Sequence, residues 1–110
     1  YAGAYPLWLA PEQVRVLPIS ERQAETVKAV AERLKAAGLR AEVDLRSEKI
    51  GYKIREAQVQ KVPYMLVIGD KEAESGTVSV RSRKEGDVGV QSVDDFLARA
   101  LREVAEKVIW

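Results

Sequence analysis

The chain has 110 residues, with 18 Lys+Arg against 17 Asp+Glu for a formal charge of +1, 46% hydrophobic residues, and neither Cys nor His. One domain of this length buries roughly 60–70% of its unfolded surface, enough for a core without staples. Missing Cys and His exclude disulfides, thiolate zinc sites and the usual general base near neutral pH, while near-zero charge gives no bulk pull toward nucleic acid or membrane, and no apolar run approaches the roughly 20 residues of a spanning helix.

Residues 1–12 hold two prolines and no hydrophobic period, so they read as a lead-in, with residues 13–110 as the domain. Tyr1 opens neither a basic nor an apolar leader, and the chain reads as a piece of something longer. Val14, Val16, Leu17 and Ile19 make a short apolar run of strand length, closed by Pro18 and Ser20. Ser20 with Gln23 forms a capping box, and Val27, Val30, Ala31 and Leu34 then recur at helical spacing until Gly38 stops them. Leu39, Ala41, Val43 and Leu45 alternate with Arg40, Glu42 and Asp44, predicting a second strand over 39–45. Ser47 can cap a second helix whose apolar face is Ile50, Ile54 and Ala57 and whose polar face is Lys49, Lys53, Glu56 and Gln60, weakened slightly by Gly51 and closed by Pro63.

Tyr64–Ile68 is continuously apolar, the signature of a central strand buried on both faces. Residues 70–76 read as a charged loop too short for a parallel crossover, so the next strand is expected antiparallel. There Val78 and Val80 point one way, which puts Ser79, Arg81 and Arg83 on the opposite, exposed face. Val88 and Val90 suggest a short fifth strand. Ser92 and Asp95 then cap a final helix with a stripe through Phe96, Leu97, Ala100, Leu101, Val104 and Val108. The order β-α-β-α-β followed by β-β-α gives an α/β sandwich whose first half is parallel, with the first two helices on opposite faces. The first half alone also fits a flavodoxin-like fold.

Chemistry is sparse. No Gly-x-Gly-x-x-Gly and no Gly-Lys-Ser/Thr is present, which argues against a nucleotide enzyme. Asp94 and Asp95 complement the dipole of the helix they open. Charge placement says more than charge total: residues 46–63 set five cations against two carboxylates, a net of +3, and Arg81, Arg83 and Lys84 add a second +3 cluster. Solvated faces and edge-strand protection explain such clusters as readily as a binding surface does.

The stretches Leu45-Arg46-Ser47-Glu48-Lys49-Ile50-Gly51-Tyr52-Lys53-Ile54-Arg55-Glu56-Ala57, Val62-Pro63-Tyr64-Met65-Leu66-Val67-Ile68-Gly69-Asp70-Lys71-Glu72 and Val78-Ser79-Val80-Arg81 resemble the C-terminal anticodon-binding domain of bacterial threonyl-tRNA synthetase. The likeness extends over nearly the whole chain, and Tyr1–Pro11 looks like the junction with that family's catalytic domain. The resemblance implies a three-layer α/β/α sandwich with a mixed five-stranded sheet in order 2-1-3-4-5, the fourth strand antiparallel. It implies a monomeric, cytoplasmic tRNA-binding module, non-catalytic in itself, whose partners are the anticodon loop of threonine tRNA and the catalytic domain of the same enzyme. The ATP, magnesium and zinc of the full-length family belong to that other domain, leaving no cofactor for this one.

Residue roles carry over by position. The arginine of Val-x-Val-Arg and the first glutamate after Gly-Asp-Lys, here Arg81 and Glu72, read the middle anticodon guanine in that family. The family's asparagine contact to the following uracil is replaced by Ser47, whose shorter side chain has no amide and is left to cap the helix or reach RNA through water. Lys49, Lys53, Arg83 and Lys84 are weaker candidates for phosphate contacts, which position RNA without specifying sequence. A second expectation is a synthetase-like domain reused for protein contacts without RNA.

Overall fold

The computed structural model describes residues 6–107. The beginning of the expected lead-in, residues 1–5, and the last residue of the expected apolar stripe, Val108, lie outside the described residues. Five strands form one sheet in the order β2-β1-β3-β4-β5. At its centre β1 (Val14–Pro18) and β3 (Tyr64–Ile68) run parallel, every residue of both buried, because helices cover both faces; Arg15, the charged residue among them, bonds Glu12 at 2.7 Å and Gln60 at 2.5 Å. The short β2 (Ala41–Val43) pairs parallel with β1, while β4 (Thr77–Ser82) runs antiparallel to both β3 and β5 (Gly86–Ser92). The expected strand order and the single reversed strand are both found.

Helix ends follow the capping chemistry. A 3-10 turn at Glu21–Gln23 leads into α1 (Ala24–Ala36), and Gln23 Oε1 accepts the Ser20 N–H at 2.8 Å while Ser20 Oγ accepts from Arg22 N. Helix α2 (Ile50–Val59) follows β2, and α4 (Val93–Ala105) opens with Ser92 Oγ accepting from Asp95 N at 3.0 Å. Helices α1 and α4 pack against Val14, Val16, Leu66, Val78 and Val80 on one face of the sheet. Here Tyr64 and Phe96 meet edge to face at 5.1 Å, and the Tyr64 hydroxyl, its pKa pushed up first by burial and then by Glu103, donates to that carboxylate at 2.6 Å. Helix α2 stands alone on the other face, where Ile50, Ile54 and Ala57 cover Leu17, Met65 and Val67. That cluster contains no residue of β4 or β5.

Four expectations are corrected. Residues 70–76 are not a loop: Asp70–Ser75 form a short helix, α3, ended by Gly76 in the left-handed region at φ +70°. Its acidic first turn suits the helix dipole, and Glu72 accepts the Gly69 N–H at 2.8 Å. The second strand does not run to Leu45. It stops at Val43, after which Asp44 is buried and Leu45 exposed, the reverse of the alternation, because the Asp44 carboxylate turns the chain by accepting from Arg46 N at 3.2 Å, Nε at 2.8 Å and Nη2 at 2.7 Å. Ser47 does not cap α2. Lys49 occupies the N-cap with no side-chain bond, leaving Ser47 exposed. Lys53 is not on the solvated face either: it is 3% exposed, and its ammonium donates to the Asp44 carbonyl at 3.2 Å and reaches the Pro18 carbonyl at 3.5 Å.

Between β4 and β5 the register slips at Val80/Arg81, so that Val80 faces Gly89 but Arg81 faces Asp87. The extra residue, Val88, packs into the α1/α4 core, and Gly89 takes φ +102°. A Cβ on Gly89 meets nothing within 4 Å, so Gly89→Ala is penalised by backbone conformation alone. We expect a loss of about 1–3 kcal/mol in urea unfolding. Gly51, helical and equally unobstructed, gives the opposite sign: Gly51→Ala is expected to gain about 0.4–1 kcal/mol.

Candidate nucleic-acid interface

Because one helix covers only β1 and β3, β4 shows its outer side chains to solvent. Val78, Val80 and Ser82 are buried, and Thr77, Ser79 and Arg81 between them are half-exposed on the α2 side. On β5, Val90 pairs with Ser79 and Ser92 with Thr77, extending the same strip to the sheet edge. Among the described residues, nothing hydrogen-bonds or ion-pairs the Arg81 guanidinium. A depression of about 490 Å³ lies at the other end of the strip, lined by Lys71, Glu72, Glu74, Ser75, Thr77 and Val90. Arg81 itself borders a second hollow of about 300 Å³ with Gln58, Val62, Met65 and Arg83.

Glu72 is held there by its neighbours. One carboxylate oxygen takes the Gly69 N–H, leaving the second for a ligand. A Cβ on Gly69 would stand 2.7 Å from Ile19 Cδ1 and 3.2 Å from Glu72 Oε1, so a larger residue there makes the ends of these side chains move. Asp70 ties the start of α3 to the turn before α1, accepting from Arg22 at 2.8 Å and from the buried Gln23 at 2.5 Å.

Ser47 opens onto a separate recess of about 250 Å³ at the carboxyl ends of β1 and β2, lined among others by Pro18, Ile19, Ser20, Arg46 and Lys53. Ile19, 49% exposed, lines this recess and also packs on Gly69, so it forms an apolar ridge between the Ser47 recess and Glu72. The structure thus brings Glu72 and Arg81 to one strip and sets Ser47 beyond the ridge.

The expected basic patches shrink on inspection of their partners. Arg46 is gripped by Asp44 and by Glu56 at 2.5 Å, and its guanidinium, 5.8 Å from the Tyr52 ring centroid, holds both carboxyls below their usual range. With Lys53 buried and Arg46 paired, Lys49, Arg55 and Lys61 are the exposed cations of this segment that make no ion pair among the described residues. Arg83 donates to the Lys61 carbonyl at 2.9 Å and is pushed down in pKa by burial, whereas Lys84 is exposed in the β4–β5 turn. Among the described residues, no three His, Cys, Asp or Glu gather as metal ligands. What remains is one oriented carboxylate and one unpaired guanidinium on a flat polar strip, groups that accept from and donate to the edge of a heterocycle. Val90 and Ile19 were absent from the sequence-derived site: both read as ordinary strand residues, and nothing local marks them as exposed.

A family model described as an anticodon binding domain matches residues 13–103. Among curated proteins the chain is similar to the threonine--tRNA ligase of Clostridium acetobutylicum, 61% identical over 98% of this chain. It is also similar to that of Caldanaerobacter subterraneus subsp. tengcongensis, 59% identical over 99%. It spans 17% of the length of each. Among solved structures it is similar to the RNA binding domain of threonyl-tRNA synthetase from Cryptosporidium parvum Iowa II, with TM-score 0.87 and 34% identity over 92% of this chain and 26% of that one. The prolyl-tRNA synthetase of Cryptosporidium parvum gives TM-score 0.83 and 25% identity over 94% and 22%.

Asp44 supports the Ser47 recess, and its titration is a handle on it. The Arg46 hydrogen bonds lower its folded pKa below the unfolded value, so its contribution is complete above the unfolded carboxylate range and fades as pH falls through the folded value. Asp44→Asn is expected to cost about 1.5–3 kcal/mol near neutral pH. Urea unfolding of both proteins at about pH 2 should show that gap closing.

Proposed function

The chain belongs to the anticodon binding domain family, and on that footing we propose that it is the part of a threonyl-tRNA synthetase that holds the anticodon loop of threonine tRNA. The observation that carries this reading is the pairing of Glu72 and Arg81 on one open strip, the carboxylate half-satisfied and the guanidinium unpaired among the described residues. An unstacked guanine offers N1 and N2 donors to the carboxylate, and its O6 and N7 accept from the guanidinium fork. Adenine reverses the polarity at position 6 and lacks the N2 donor, so both contacts suffer together. The following uracil lies across the Ile19 ridge, where Ser47 offers a single hydroxyl.

Lys49 and Lys84, both exposed, contact phosphates and set the loop in place. Lys53 stabilises the floor of the Ser47 recess from within, and Arg83 acts from the turn that Lys61 anchors. Activation of threonine with ATP, magnesium and zinc belongs to a separate catalytic domain of the same enzyme, and the module works beside it as a monomer in the cytoplasm. No helix among the described residues is long and apolar enough to cross a membrane.

Binding of a threonine anticodon stem-loop, followed by fluorescence anisotropy, tests the reading. Arg81→Ala is expected to weaken binding about 5- to 150-fold, and exchange of the middle guanine for adenine to weaken the wild-type chain similarly. In Arg81→Ala the same exchange should matter much less, since the contact it breaks is already gone. If neither change moves the affinity, Arg81 does not read that base. Lys84→Ala, by contrast, should weaken all loops equally and flatten the salt dependence by about one unit of slope.

A further inference from the structure

Resting on that reading, we propose that Val90 is the floor on which the middle anticodon base lies, a positioning residue that supplies affinity without reading identity. Hydrogen bonds to N1, N2, O6 and N7 of a guanine all lie in the plane of its ring. One base that reaches both Glu72 and Arg81 must therefore lie with its plane bridging α3 and β4. The sheet beneath such a base is the strip between those two residues. Thr77 and Ser79 precede Arg81 by four and two residues, about 13 and 7 Å along the strand, and β5 runs about 4.8 Å to the side. The outward side chains there are Thr77 and Ser79 on β4, with Ser92 and Val90 paired to them on β5.

Val90 is the apolar member of this group. It is 61% exposed, and it lines the same depression as Glu72. The bulge at Gly89 decides its direction: Val88 enters the α1/α4 core, and Val90 turns to the open face opposite Ser79. A single exposed valine is ordinary on any surface; one that lines the depression holding Glu72 and pairs with Ser79, two residues before Arg81, is not. Ser79 is small enough to let a ring approach the backbone, and a β-branched side chain with a nearly fixed χ1 loses little freedom when a base settles on it. Contact with a ring face is indifferent to which base provides it.

The experiment uses the same stem-loops with guanine or adenine in the middle position. Val90→Ser is expected to weaken binding about threefold to tenfold for both loops, leaving the guanine-to-adenine ratio as in wild type, while Val90→Ile retains wild-type affinity. Because Val90 is exposed, the thermal unfolding midpoint of each variant should stay near that of wild type, which separates loss of contact from loss of fold. Wild-type affinity in Val90→Ser, or a loss confined to the guanine loop, overturns the floor. If Val90→Ser is inert while Arg81→Ala still abolishes discrimination, the floor alone falls; if both are inert, the base-reading role falls with it.

Discussion

The covering of the sheet by two helices on one face and one on the other shapes everything else in this domain. Five strands at about 4.8 Å spacing make a sheet some 19 Å across, and one helix of about 10 Å diameter shields little more than two of them. Helix α2 lies on β1 and β3, so these two are buried on both sides, with the one charged side chain there, Arg15, paired to Glu12 and Gln60, and β4 and β5 are left bare on the α2 side. A bare sheet face must solvate its own side chains, and the alternation of valine with threonine, serine and arginine along β4 is the sequence-level form of that requirement. The open strip is therefore what an incomplete third layer leaves behind, and a ligand with a flat face is what fits it.

Openness alone would leave the polar groups unaimed. Here they are fixed from behind by bonds at the carboxyl ends of the parallel strands. Gln23 caps the turn after β1 and reaches Asp70 at the start of α3, Gly69 lets Ile19 and Glu72 close on one another, and Lys53 bridges the carbonyls that end β1 and β2. Each anchor joins loops far apart in sequence. A carboxylate held this way accepts a ligand without first giving up rotamer freedom, which is the advantage of pre-organisation.

Legibility in the sequence follows the same division. The parallel core could be read because burial on both faces demands short, largely apolar runs, and the Ser20/Gln23 and Ser92/Asp95 caps because their chemistry is local. Arg81 could be placed on an outer face from the period of two in β4. Resemblance to a known family supplied the role expected of it and of Glu72. Unreadable were the features decided by contacts across the fold. Six residues without an apolar stripe gave no sign of α3, whose helical form depends on Glu72 reaching Gly69. Asp44 and Leu45 exchange places because Arg46 binds the carboxylate, and Lys53, polar by type and helical by position, is drawn inward by the carbonyls of Pro18, at the end of β1, and Asp44, just after β2. Val90 faces outward because a bulge, visible only in the pairing of β4 with β5, adds a residue before it.

The charge balance then takes on a definite meaning. A surface that grips nucleic acid through its backbone gains affinity from every free cation, and its binding fades with salt. Here Arg46 is spent on Asp44 and Glu56, and Lys53 on carbonyls, so two of the five cations in the segment richest in basic residues are already engaged within the fold. Arg81 is the contrary case, a guanidinium that no carboxylate of the described chain neutralises. An internal ion pair has to be broken before its guanidinium can bind anything else, and Arg81 carries no such cost. A net charge of +1 is thus compatible with recognition of RNA: charge is cancelled within the fold where residues pair, and an unopposed guanidinium stands on the open strip of β4.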